Sequence, residues 1–188
     1  MNARRVIERA RALAQEGHDD KAQALLRDAV RKRPRDAELR IALGIELDGE
    51  AARAELAEAA ALAHDDPETL FRVASALRDA DAHGAAVRAA EHVEALAPDD
   101  FVFAADLLHL RGLLARDAGD DARAEPLLRA AFAAEPEARG HGRWLAGLLI
   151  DHDRFGEALE VVEAAIEVRP RDDDLEEMRG WLLSVLDS

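Results

Sequence analysis

The chain contains no cysteine, which excludes disulfides, thiolate metal sites and thiol redox chemistry. It has no tyrosine, and aromatic residues make up only 4% of its 188 positions. Strands favour β-branched and aromatic side chains, so this scarcity points to helices. No run approaches the ~20 apolar residues of a membrane-spanning helix. The stretch Met1 to Gln15 holds four arginines but no apolar core of signal-peptide length. A cytoplasmic protein without a membrane segment is expected. There is no glycine-rich phosphate loop, no Gly-x-Ser-x-Gly and no His-Glu-x-x-His. The three serines, Ser75, Ser184 and Ser188, have no evident base beside them. Neither an enzyme nor a bound cofactor or metal is expected.

Basic charge is also scarce. The net charge is −15, with 25 Lys/Arg against 40 Asp/Glu. This excludes general binding to nucleic acid or to an anionic membrane surface. The balance is uneven: residues 1–40 hold 11 basic and 7 acidic side chains, whereas residues 41–188 hold 14 and 33. Many aspartates, such as Asp19, Asp66, Asp120 and Asp172, stand just before apolar-periodic runs. There they would cap helix N–H groups and complement the helix dipole.

What is abundant is a repeated phrase. An alanine is followed four residues later by an apolar residue, three later by another, and five later by a helix stop. Ala22, Leu26, Ala29 and Pro34 form one copy. Ala86, Ala90, Val93 and Pro98 form another, as do Ala124, Leu128, Ala131, Pro136 and Ala158, Val162, Ala165, Pro170. A degenerate copy reads Ala52, Leu56, Ala59, His64. Self-similarity at a period of tens of residues marks a stacked repeat protein, and such stacks usually bind rather than catalyse. Patterning at 3.6 residues predicts helices over 3–16, 20–32, 36–48, 50–63, 67–80, 84–96, 101–117, 121–134, 139–151, 155–168 and 173–187. Gly17, Gly49, Gly84, Gly119 and Gly156 are expected in or beside the turns between paired helices.

These residues resemble the tetratricopeptide repeat family, and the resemblance runs over nearly all of the chain. Leu70, Val73, Ala74 and Leu77 match the first helix of its pattern, and Ala86, Ala90, Val93 and Pro98 the second. Leu108, Gly112 and Ala115, then Leu145, Ala146 and Leu149, match the next two first helices. The resemblance implies an all-α, right-handed superhelical solenoid of about five helix pairs in one domain. The repeats fall at about 3–35, 36–65, 66–99, 100–137 and 138–171, with a capping helix at 173–187. The family's aromatic positions are Leu, Ala or Val here, so a thinner core is expected. The second repeat spans 30 residues, Pro34 to His64, and the fourth 38, Pro98 to Pro136. Each departs from the usual length by about one helical turn, so one short and one long helical pair are expected. Pro126 should kink its helix or delay its start.

In this family the concave face is lined by first-helix residues one turn apart. Carried over, that register selects Arg4, Ile7 and Arg11; Ile41 and Ile45; Phe71, Ser75 and Arg78; His109, Leu113 and Arg116; and Arg143, Gly147 and Ile150. Arg11, Phe71, Arg78, His109, Arg116 and Arg143 are the candidate peptide-binding residues. Arginine forks grip carboxylates, so an acidic, partly apolar peptide is one expected partner. The other reading is that these arginines balance acidic neighbours such as Glu8, Asp79 and Asp117. Family members that clamp a carboxyl terminus use asparagines beside lysines; this chain has only Asn2, so that activity does not carry over.

His18, His64, His83 and His152 stand in turns beside aspartates, about one repeat apart, too far to share a metal; exposed turn histidines are expected. Trp144 and Trp181 read as packing between the fifth repeat and the cap, the alternative being groove-facing anchors. The expected function is an adaptor or scaffold holding a partner peptide, as a monomer or weak homo-oligomer. The alternative is head-to-tail self-assembly, the basic amino-terminal segment of one copy against the acidic carboxy-terminal region of the next.

Overall fold

The computed structural model describes residues 2–187, which form eleven helices and no strand. The chain divides into two compact units, one ending at Val102 and the other beginning at Phe103. The first holds α1 (Ala3–Gln15), α2 (Asp19–Lys32), α3 (Ala37–Ile45), α4 (Gly49–Leu62), α5 (Pro67–Asp79) and α6 (His83–Leu96). The second holds α7 (Ala104–Asp117), α8 (Asp121–Ala134), α9 (His141–Asp151), α10 (Phe155–Val168) and α11 (Asp173–Leu186). Helices pair in sequence across short turns: α1 with α2, α3 with α4 and α5 with α6 in the first unit, α7 with α8 and α9 with α10 in the second.

The repeated phrase is the core of each second helix. All fifteen of its apolar side chains, from Ala22 to Ala165, are at most 7% exposed. Their spacing of four and three residues places them on one helical stripe, and that stripe meets the first helices. Because most are alanine, the backbones come close. A Cβ built on Gly44 would fall 2.7 Å from Leu56 Cγ, and one on Gly112 would fall 2.8 Å from Leu128 Cγ. In the second unit α11 completes the core, burying Leu175 and Leu182 against α10.

The ends of the helices follow their sequence. Asp36, Asp66, Asp120 and Asp172 accept hydrogen bonds from first-turn N–H groups of α3, α5, α8 and α11. Asp66 also accepts from the Thr69 hydroxyl at 2.6 Å. Gly17 and Gly119 take positive φ in their turns. Gly84 and Gly156 stand beside their turns, as the second residues of α6 and α10. The left-handed residues there are Asp81 and Asp153, at φ 54° and 57°. Aspartate tolerates this region better than most residues, so it replaces glycine at two of the repeated turns.

Three further expectations meet the structure here. The extra residues of the fourth repeat do not lengthen its helices: α7 and α8 have 14 residues each. They lie in the segment 97–103, where Pro98 and a turn at Asp99 and Asp100 interrupt the helix. The short second repeat does shorten a helix, since α3 has only nine residues. Pro126 does not delay α8, which starts at Asp121 under the Asp120 cap and runs through the proline.

Candidate binding face

In the second unit α7, α9 and α11 each bury one stripe and leave another open. On α9, Leu145, Ala146, Leu148 and Leu149 are buried, while Arg143, Trp144, Gly147 and Ile150 are wholly or partly exposed. Ion pairs tie these open stripes together. Arg116 on α7 pairs with Asp151 on α9. Its guanidinium carbon lies 5.4 Å from the ring centroid of Trp144, within reach of a cation–π attraction. One helix further, Arg143 pairs with Asp174 on α11 at 2.6 Å. Between α9 and α11 lies a cavity of about 440 Å³, lined by Arg143, Ile150, Asp174, Glu177, Met178 and Trp181.

Both tryptophans belong to this open surface. Trp144 is 38% and Trp181 46% exposed, so neither is a buried core residue. Trp181 stands edge-on to Phe155 with ring centroids 5.9 Å apart. Phe155 in turn is partly buried against the core of the second unit, so the indole packs against the fifth repeat by one edge.

The first unit shows the same construction on α1, α3 and α5. Arg72 of α5 pairs with Glu38 of α3, one repeat earlier. Arg4 pairs with Glu8 at 2.9 Å. Arg11 is exposed and makes no ion pair among the described residues. Phe71 and Arg78 are half-buried on the open stripe of α5, where the Ser75 hydroxyl donates to the Phe71 carbonyl at 3.1 Å. Arg78 lies 3.9 Å from Asp79.

Of the residues selected by register, Ile41 and Leu113 lie in the core. Ile45, by contrast, is 62% exposed, and the open stripe of α3 passes through Glu38 and Ile45. His109 is half-buried on α7, its ring centroid 4.6 Å from that of His141. His141 is the residue that sequence reasoning missed: it is the buried polar side chain of the core, 1% exposed. Its Nδ1–H donates to the Glu135 carbonyl at 3.2 Å, and its Nε2 lies 3.3 Å from Asp106 Oδ1. His18, His64, His83 and His152 are exposed. No group of three or more His, Asp or Glu side chains among the described residues is placed to hold a metal ion.

A second charged cluster lies on the second helices, away from this face. Arg154 pairs with Glu125 at 2.7 Å and Glu157 at 2.6 Å, and Arg129 bridges the same two carboxylates. Hydrogen bonds from Arg154, ahead of those from Arg129, hold both carboxyl groups below the usual glutamate range. The two carboxylates raise the Arg154 guanidinium in turn.

Comparison with known proteins agrees with this architecture. Residues 3–45 match the family described as tetratricopeptide repeat. No curated protein sequence matches the chain. Among solved structures, a thermophilic TPR protein of Thermus thermophilus, TTC0263, is similar at a TM-score of 0.71 and 21% identity, over 96% of this chain and 98% of that one. Pseudomonas aeruginosa pilF is similar at 0.71 and 16% identity, covering 97% and 83%. MamA of Desulfovibrio magneticus RS-1, from residue 41 onward, is similar at 0.66 and 19% identity, covering 90% and 97%. Among the described residues, no helix is long and apolar enough to cross a membrane.

Proposed function

We propose that this chain, a protein of the tetratricopeptide-repeat fold, is a non-catalytic adaptor that holds partner peptides on the open stripes of its first helices. The observation that carries this reading is the exposure of Trp181, 46%, in the cavity between α9 and α11. A half-exposed indole beside the apolar Ile150 and Met178 is costly unless something covers it, and tryptophan is enriched where partners bind. The acidic-peptide expectation attaches to the first unit, where Arg11 is exposed outside any ion pair among the described residues. In the second unit Arg116 and Arg143 are already engaged by Asp151 and Asp174.

The test is a photo-crosslinking amino acid placed at Gly147, on the open stripe of α9, or at Gly156, on the exposed start of α10. Crosslinks to a partner in the native cells are expected at 147 and not at 156. Equal yields at both positions, or none at 147, would overturn the reading. Self-assembly is the second reading, favoured by Leu183 and Leu186, which α11 leaves 43% and 48% exposed. It predicts a molecular mass that rises with protein concentration.

A further inference from the structure

The cavity between α9 and α11 carries information about the sign of its ligand. Its apolar lining is Ile150, Met178 and Trp181. The rest of its lining is charged, but the charges are not equally available. Arg143, the single base in the lining, is paired with Asp174 at 2.6 Å. Glu177 makes no ion pair among the described residues. Asp173, one turn earlier on α11, is exposed and likewise outside any ion pair among them. Glu176 is held by Arg179 at 2.5 Å. After the internal pairs are formed, the charge left at the cavity mouth is negative.

Arg143 meets Asp174 through a single nitrogen, so its other N–H groups could still donate to an acidic ligand. That ligand would, however, bring its carboxylate beside Asp174 and Glu177, and one guanidinium would then face three acids. A basic ligand meets no such obstacle. Its cation can approach Glu177 and the face of Trp181 while the Arg143–Asp174 pair stays closed.

We propose that this cavity receives a bulky apolar side chain of a partner peptide whose next residues are lysine or arginine. The apolar group rests on Ile150, Met178 and Trp181, and the cation sits at Glu177. This rests on the peptide-adaptor reading above and narrows it: the second unit selects a basic segment, whatever the first unit selects.

The test uses fluorescein-labelled dodecapeptides of a Gly-Ser background, each with a central Leu-Phe followed by Lys-Arg, Ser-Ser or Glu-Asp. Binding to the full chain is followed by anisotropy at low and moderate salt, together with Trp181 fluorescence in a Trp144→Phe background. The expected order is Lys-Arg above Ser-Ser above Glu-Asp, with at least about tenfold between the extremes. Glu177→Lys should reverse that order without changing the urea midpoint. Trp181→Ala should weaken the Lys-Arg peptide at least about tenfold. If the Glu-Asp peptide binds best and Arg143→Glu abolishes it, this inference fails while the adaptor reading stands. A preference for Lys-Arg that Glu177→Lys leaves unchanged also overturns it. If no peptide binds, the inference fails; if mass then rises with concentration in a Trp181-dependent way, a second copy occupies the cavity and the adaptor reading falls with it.

Discussion

Gly112 and Leu128 face each other across the α7–α8 contact so closely that the missing Cβ is part of the fit. A Cβ on Gly112 would lie 2.8 Å from both Leu128 Cγ and Cδ2, and 3.3 Å from the Leu128 backbone nitrogen. Glycine inside a helix is ordinarily a loss of roughly 0.5–1 kcal/mol against alanine. Here that loss is offset by the approach of two backbones over a buried leucine. Gly112→Ala should therefore destabilise, by an overpacking penalty of roughly 1–3 kcal/mol less the helix-propensity gain. Gly180 is the control, since nothing lies within 4 Å of its would-be Cβ on α11. Gly180→Ala should stabilise by roughly 0.5–1 kcal/mol. Urea midpoints that move in the same direction for both variants would contradict the account.

Ala124 and Ala158 open the repeated phrase on α8 and α10, and both are completely buried. Leucine at either site adds bulk where the helices already touch. Each substitution should cost on the order of 1–3 kcal/mol. Urea denaturation with an unchanged slope and a lower midpoint is the expected result.

The pH dependence of stability carries two opposite contributions. Glu125 and Glu157 ionise more readily in the fold than at the ordinary value of 4.5, because Arg154 donates to both. Their contribution is complete above that value and is lost as the pH falls through it and below. Arg154→Ala should therefore narrow the gap between urea midpoints at pH 7 and pH 3. Glu46 works the other way. Burial, then the nearby Asp19 carboxylate, raise its pKa, so its ionisation weakens the fold as the pH rises above 4.5. Glu46→Gln should raise the midpoint at pH 7 and leave it nearly unchanged at pH 3.

The last helix is predicted to be needed for solubility. Leu175 and Leu182 of α11 are at most 3% exposed against the core that also holds Val161 and Val162. Removing residues 173–188 would uncover that surface, and exposed apolar patches of this kind drive association. Light scattering should show higher mass at equal concentration. A shortened chain that stays monomeric with the same midpoint would rule out a covering role for α11.

The second helices are legible in the sequence because their information is local. Alanine, apolar residue and a further apolar residue at offsets of four and three can lie only on one stripe, and a proline or histidine closes each copy. The first-helix face is less legible. Ile41 and Ile45 are the same residue type one turn apart, yet one is 1% and the other 62% exposed, and periodicity alone does not choose between them. Hydrophobicity argues for full burial of the tryptophans, whereas each keeps more than a third of its surface exposed. The ion pairs between repeats need a longer ruler. Arg72 meets Glu38 and Arg116 meets Asp151 at separations of 34 and 35 residues, so an acid one repeat away from each arginine is the available signal. His141 carries no signal of its own, since only the packing of the folded second unit brings Asp106 beside it.

The packing order has a kinetic consequence. Within each unit, every helix makes its substantial contacts with helices one or two places away along the chain. Little loop closure is therefore required before native contacts begin to form, and chains with such low contact order fold in microseconds to milliseconds. The α1–α3 cluster and the α7–α11 cluster each contain their own buried residues, so nucleation can begin in either. A substitution in one cluster should then slow the refolding of its own unit, and refolding would separate into two phases.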